Sequence, residues 1–218
     1  MDISAYHVLE LQIACDPVDA RRVMPAIRAE HRRILDVGCG AGQTLTASRL
    51  DAEVTAIGID RDASALSLGR LVNPRLRLIR ARGEALPLPS RWFDLAISRV
   101  ALPYMRTGPA LAEMARVLRP GGDLWIVLHP FSLVWSELKS SVARGRWRAA
   151  LHRAYALANG VAVHFTGREL PAPHRGKHHS FQTEARIVRT LESLGFEDIR
   201  VEKRRFFVVT ARKGSKAR

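Results

Sequence analysis

Apolar residues along this chain fall into short, dense runs separated by mixed segments. Runs rich in Ile, Val and Leu recur at Arg33–Val37, Val54–Ile59, Leu76–Arg80, Phe93–Ser98 and Asp123–His129. Between them Ala41–Leu50, Asp62–Val72 and Gly108–Leu118 read as helices, with Asp62 and Thr107 standing where N-caps stand. This alternation predicts a parallel sheet wrapped by helices. "RPGG" (Arg119–Gly122) supplies a proline that cannot continue the third helix and glycines that turn the chain into the fifth run.

From Phe131 to Phe181 the rhythm breaks, and some fifty residues replace the short crossover expected between neighbouring elements. Ser136–Ala143 reads as a helix. Trp147, Leu151, Tyr155 and Ala158 then follow at spacings of four, four and three, an apolar stripe on a second helix expected to end near Gly160. "GRELPAPHRGKHHS" (Gly167–Ser180) has the Pro, Gly and charge content of a mobile loop. Thr183–Leu194 resumes as a helix closed by Gly195, and Ile199–Lys213 reads as two strands meeting around Arg204 and Arg205.

A chain of 218 residues fills one core. The expected organisation is a single α/β domain: an N-terminal helical segment over 1–32, a core over 33–130, an insertion over 131–181, and a closing helix and strands over 182–213.

The stretch "ILDVGCGAGQT" (34–44) raises the question of ligand. Gly38, Gly40 and Gly42 lie where the first strand turns into the first helix, so the backbone can bend tightly and a ligand can approach without meeting a Cβ. The dinucleotide pattern G-x-G-x-x-G fails, because Gln43 holds the position of its last glycine, and no lysine follows as in a triphosphate loop. Asp36 would repel a pyrophosphate. A ligand with a cationic group near the turn and a ribose further along would use both features. S-adenosylmethionine has that shape: its ammonium suits Asp36, and its ribose suits Asp60, twenty residues beyond Gly40 in "IGID".

Four blocks now carry a resemblance: "ILDVGCGAGQT" (34–44), "IGIDRD" (57–62), "ARGEALPLPSRWFDLAISRVALPYM" (81–105) and "LAEMARVLRPGGDLWIVLHP" (111–130). In order and spacing they resemble the class I S-adenosylmethionine-dependent methyltransferases, within the broad group of ubiquinone, menaquinone and natural-product methyltransferases. A weaker fifth block is "LESLGFEDIRV" (191–201). The resemblance implies a doubly wound, Rossmann-like, mostly parallel sheet of seven strands with the last antiparallel, and a helical lid inserted after strand five. It implies that Gly38, Cys39 and Gly40 contact the methionine end of the cofactor, Asp36 its amino group and Asp60 its ribose, with Arg61 along the adenine. Where the family usually has Asp-Ala-Glu after the third strand, this chain has Arg82, Gly83 and Glu84. Arginine has no acceptor, so Glu84 or a backbone carbonyl must take the bond from the adenine amino group, and Arg82 could only stack. Ser98 is expected to face the methionine moiety.

Charge changes the picture next. The net charge is +14 and it is local: +3 over 1–130, +6 over 131–181, −2 over 182–198 and +7 over 199–218. Two basic zones could attract a polyanion, an anionic metabolite or a membrane surface. The plainer account is a host that favours Arg over Lys, because 30 of the 35 basic residues are Arg. Cys15 and Cys39 form neither a disulfide framework nor a metal set, which fits a reducing cytoplasm, and neither an export signal nor a membrane span is expected.

Methyl transfer from a sulfonium needs alignment and exclusion of water, and a base only where the acceptor must lose a proton. His129, at the end of the fifth strand, is the first candidate for that base, against the alternative of a histidine packed or capping there. His152, His164, His174, His178 and His179 lie in the insertion, where a solvated loop is favoured over a metal or anion site. Tyr6, His7 and Tyr104 are expected near the pocket. The leading expectation is an enzyme that methylates a small molecule, an anionic one among the candidates. An RNA methyltransferase using the two basic zones is the alternative, and a fold that binds the cofactor without transferring a methyl is a third.

Overall fold

The computed structural model describes residues 3–171, 179–203 and 206–215. Strands β1 (Arg33–Val37), β2 (Thr55–Asp60), β3 (Arg77–Arg80), β4 (Phe93–Arg99), β5 (Leu118–Leu128), β6 (Phe196–Lys203) and β7 (Phe207–Lys213) form one seven-stranded sheet of order β3-β2-β1-β4-β5-β7-β6. Pairing is parallel from β3 to β5, and β7 runs antiparallel to both β5 and β6. This is the mostly parallel, seven-stranded architecture expected, with β7 the reversed strand.

Both faces of the sheet are covered, which is why its strands are dense in apolar residues. Alternation sends Ile34, Leu95, Ile97, Trp125 and Val127 to one face, with Leu45, and Leu35, Val37, Ala96, Leu124, Ile126 and Leu128 to the other. The second face is closed by Ala110, Leu111 and Met114 of α4 (Thr107–Val117) and by Ile187 and Leu191 of α7 (Glu184–Ser193). At the opposite end of the sheet from the glycine turn, the buried Asp94 carboxylate accepts from Arg119 Nε at 2.6 Å and from the Arg33 N–H at 2.7 Å.

Several expected boundaries move. β5 starts at Leu118, so "RPGG" is a bulge inside a strand and not a turn before one: Phe93 pairs with Leu118 and Leu95 with Asp123, and Gly121 takes φ +74°. Thr107 is the first residue of α4 and does not cap it; Arg106 holds the cap position without a side-chain bond, and the Thr107 N–H donates to Glu169 at 2.8 Å. α2 shrinks to Gln43–Ala47 behind a left-handed Gly42. The expected Asp62 cap is present, accepting from Ser64 N–H at 2.8 Å at the head of α3 (Ala63–Val72).

The insertion folds into α5 (Phe131–Ala143) and α6 (Trp147–Thr166). α6 runs straight through Gly160, and its expected apolar stripe faces outward: Trp147 is 68% exposed and Leu151 76%. Its inner face is built from Ala150, Ala156, Asn159, Gly160 and Val163, small residues that let the helix backbone approach Phe181. A Cβ on Gly160 would lie 2.2 Å from the Phe181 ring. Gly160→Ala is therefore expected to reverse the usual helix preference and destabilise the protein by about 1–3 kcal/mol. A urea midpoint equal to or above the parent's would refute this.

The end of the expected mobile loop is also packed. His179 and Ser180 are buried, and the Ser180 N–H donates to the Pro103 carbonyl at 3.0 Å. His174 and His178, like Arg204 and Arg205, lie outside the described residues. No helix among the described residues is long and apolar enough to cross a membrane.

Candidate functional site

At the carboxyl end of β1 the chain turns through Gly38 and Cys39, whose N–H groups both donate to the Ile59 carbonyl of β2, at 2.7 and 3.0 Å. Gly38 has φ +76°, and a Cβ there would sit 2.1 Å from the Ala101 Cβ. No residue other than glycine fits. The Gly40 N–H donates to Asp60 Oδ2 at 2.8 Å, and the Asp62 N–H donates to Oδ1 at 2.9 Å, so Asp60 ties the turn to the end of β2.

A cleft of about 340 Å³ opens here, over the carboxyl ends of β1, β2 and β4. Strand order reverses between β1 and β4, and in open α/β sheets that reversal is where ligands bind. Gly38, Gly40, Asp60, Arg61, Arg82, Gly83 and Glu84 line the cleft. Asp36, Cys39 and Ser98 do not. The Cys39 side chain turns into a small core with Leu66 and Leu78, and Ser98 donates through Oγ to the Val37 carbonyl at 2.8 Å, stapling β4 to β1.

Asp36 is the anomaly of the region. It is 1% exposed and neither of its carboxylate oxygens has a hydrogen-bond partner. Burial pushes its carboxyl up to about 7; the Arg99 guanidinium opposes that shift, the Asp60 charge adds to it, and the nearby Thr44 side chain, short of full hydrogen-bond geometry, lowers it least. Arg99 is itself tied down, with Nε donating to Thr44 Oγ1 at 3.2 Å and an ion pair to Glu10 at 3.1 Å.

Glu10 belongs to α1 (Ile3–Cys15), which brings Tyr6, His7 and Glu10 to the cleft wall. His7 Nδ1 lies 3.0 Å from Gln43 Nε2 of α2. On the far wall Glu84 accepts the Arg106 N–H at 3.0 Å and pairs with Arg82 at 3.5 Å. Burial alone would raise its carboxyl, but these contacts outweigh it and hold Glu84 below the usual range. A Cβ on Gly83 would lie 2.6 Å from Met105 Sδ, so this wall too is bare backbone.

His129, immediately after β5, stands outside the cleft, one ring away. Tyr104, which lines the cleft, meets it edge-on at 5.6 Å and stacks on His179 at 4.8 Å. Burial, then the nearby Arg153 charge, pushes His129 down to about 4 and His179 to about 3, so both rings are neutral at physiological pH. No group of three or more potential metal ligands occurs among the described residues.

Residues 35–126 match the family described as Methyltransferase domain. Over that stretch the chain resembles a methyltransferase domain. Its fold agrees: an S-adenosylmethionine-dependent methyltransferase of Methanosarcina mazei superposes with a TM-score of 0.58 at 21% identity, over 87% of this chain and 95% of that one. Among curated relatives, the demethylmenaquinone methyltransferase of Renibacterium salmoninarum is 31% identical over 127 residues, 55% of this chain and 51% of its own length. The phthiotriol/phenolphthiotriol dimycocerosates methyltransferase of Mycobacterium leprae is 31% identical over 130 residues, 58% of this chain and 45% of its own. The chain spans about half the length of these curated relatives.

The Methanosarcina mazei protein is named for its dependence on S-adenosylmethionine, and the site here can be tested physically against that cofactor. A buried carboxylate with both oxygens unpartnered calls for a cationic donor, and the cleft lined by Gly38 and Gly40, two and four residues on, has room for one. Two features of the domain escaped the sequence. Val100 takes φ +63° on the cleft wall, a costly conformation for a β-branched residue. The Arg99–Glu10 pair that seats α1 over the cleft spans residues far apart in the chain. Neither leaves a local signal.

Proposed function

We propose that the chain is an S-adenosylmethionine-dependent methyltransferase acting on a small-molecule acceptor. The observation that carries this reading is the unpartnered, buried Asp36 carboxylate beside a turn that admits no side chain. In this reading Asp36 answers the cofactor's amino group, and the Gly38–Cys39–Gly40 backbone receives its methionine end. Asp60 keeps a free lone pair on each oxygen for the ribose hydroxyls after accepting its two backbone N–H groups. Arg61 and Arg82 flank the adenine, Gly83 gives it a flat wall, and Glu84 offers an acceptor for its amino group. Ser98 positions the end of β1 from behind.

When bound, the cofactor supplies a methyl group on a positively charged sulfur. The protein's work is then to align the acceptor and exclude water. Tyr6 and His7 of α1 and Tyr104 form walls suited to that. Where the acceptor is a hydroxyl, His129 would serve as base only if the Tyr104 ring moved aside, and its pKa, lowered to about 4 by burial, makes it a weak one. The small-molecule class is supported by the names of the quinone and lipid methyltransferase relatives.

The test supplies methyl-labelled S-adenosylmethionine to the purified protein with a cell extract, then separates RNA, protein and small molecules. Label in the small-molecule pool, absent with a Gly40→Arg variant, is expected. Label in RNA would replace this reading with one in which the basic zones follow a phosphate backbone.

A further inference from the structure

The outward face of α6 carries Trp147, Leu151, Ala154, Ala158, Val161 and Phe165, at spacings of four, three, four, three and four. That is a straight apolar seam on the side opposite the buried Ala156 and Val163. Its large members are exposed: Trp147 68%, Leu151 76%, Val161 46% and Phe165 80%. From Trp147 to Phe165 the seam runs about 27 Å. A continuous apolar strip of this length on a soluble surface marks a partner.

The charges around the seam choose the partner. Lys139, Arg144, Arg146 and Arg148 are all exposed at or near the α5–α6 turn, beside Trp147, and Arg168 is exposed just beyond the other end. A second copy laid along the seam would meet positive charge at either end, whichever way it ran, on a chain already at +14. An anionic surface meets the opposite sign. A helix with Trp, Leu, Val and Phe on one face, flanked by Arg and Lys, is also the pattern that lies in the plane of a membrane interface.

We propose that α6 docks the protein on an anionic lipid bilayer, with the Trp147–Phe165 seam set among the lipids and the basic α5–α6 turn against their headgroups. The helix lies flat and does not cross. On its inner side the same helix reaches the cleft wall, His152 Nε2 lying 3.2 Å from Nδ1 of His179, the ring stacked on Tyr104. The inference goes beyond the proposed methyl transfer and does not depend on it.

The experiment is co-sedimentation of the full chain with vesicles of phosphatidylcholine alone or mixed with phosphatidylglycerol. Pelleting is expected with the anionic vesicles only, weakening as salt rises. Leu151→Ser/Phe165→Ser, which alters no charge and touches no cleft residue, should lower partitioning about tenfold or more, and Arg144→Gln/Arg146→Gln should remove the preference for anionic lipid. Light scattering on the same samples, without vesicles, reports the mass. No binding to anionic vesicles, or binding that the Leu151/Phe165 variant leaves unchanged, would overturn the proposal. So would a wild-type dimer that this variant splits into monomers, which would assign the seam to a second copy.

Discussion

Replacing Asp60 with alanine is expected to lower the affinity for S-adenosylmethionine about a hundredfold or more. Two effects add. The ribose hydroxyls lose a charged acceptor, worth about 1.5–3 kcal/mol for each bond. The Gly40 and Asp62 N–H groups also lose theirs, which loosens the turn proposed to receive the cofactor. Asp60→Asn separates the two effects: its single carbonyl can still hold one backbone N–H, so it should keep more of the stability than of the affinity. Calorimetric titration at a temperature where circular dichroism shows both variants folded makes the comparison. Affinity unchanged in Asp60→Ala would remove the assignment of the cleft.

The turn and Asp60 could be read from sequence because their chemistry is local. Glycines at alternate positions after an apolar run need little context, and the limits of β1 were legible because the glycine turn cuts the run off at Val37. The reading of "RPGG" shows the opposite case. Proline and glycine serve a turn and a bulge equally well, and only the pairing of Phe93 with Leu118 decides between them. In α6 the spacing correctly announced one apolar face but not its direction, because the buried face is made mostly of alanine, glycine and asparagine, which carry little hydrophobic signal, with Val163 near its end.

The site was half visible for the same reason. Residues within a few positions of a strand end could be placed, whereas those assembled by tertiary packing could not. His179 sat within a segment with the composition of a loop, yet it is buried against Tyr104, because Asn159 of α6 donates to its carbonyl at 3.1 Å. His129 was placed at a strand end that faces the crevice. What sequence could not supply is the intervening Tyr104 ring.

The unpaired state of Asp36 has a consequence in pH. Its folded carboxyl titrates at about 7 against an ordinary 3.8, so over that window the folded protein holds a proton that the unfolded chain has released. Stability from this group is fully present below about pH 4 and is lost as pH rises through about 7, a fall of about 4 kcal/mol. Asp36→Asn, nearly isosteric and uncharged, is expected to abolish that part of the slope and to be more stable than the parent above pH 7. A cofactor ammonium would bring a cation into direct contact, which the Arg99 guanidinium, without a hydrogen bond to Asp36, does not. Binding should therefore strengthen with pH across the same window and expel a proton from Asp36, whereas Asp36→Asn should bind weakly with no such dependence. Urea unfolding across pH, and calorimetry in buffers of different ionisation enthalpy, read the two halves separately. An equal slope in parent and variant would show that Asp36 is not the group that titrates. Loss of the slope without loss of affinity would make the buried carboxylate a structural burden and not the seat of the amino group.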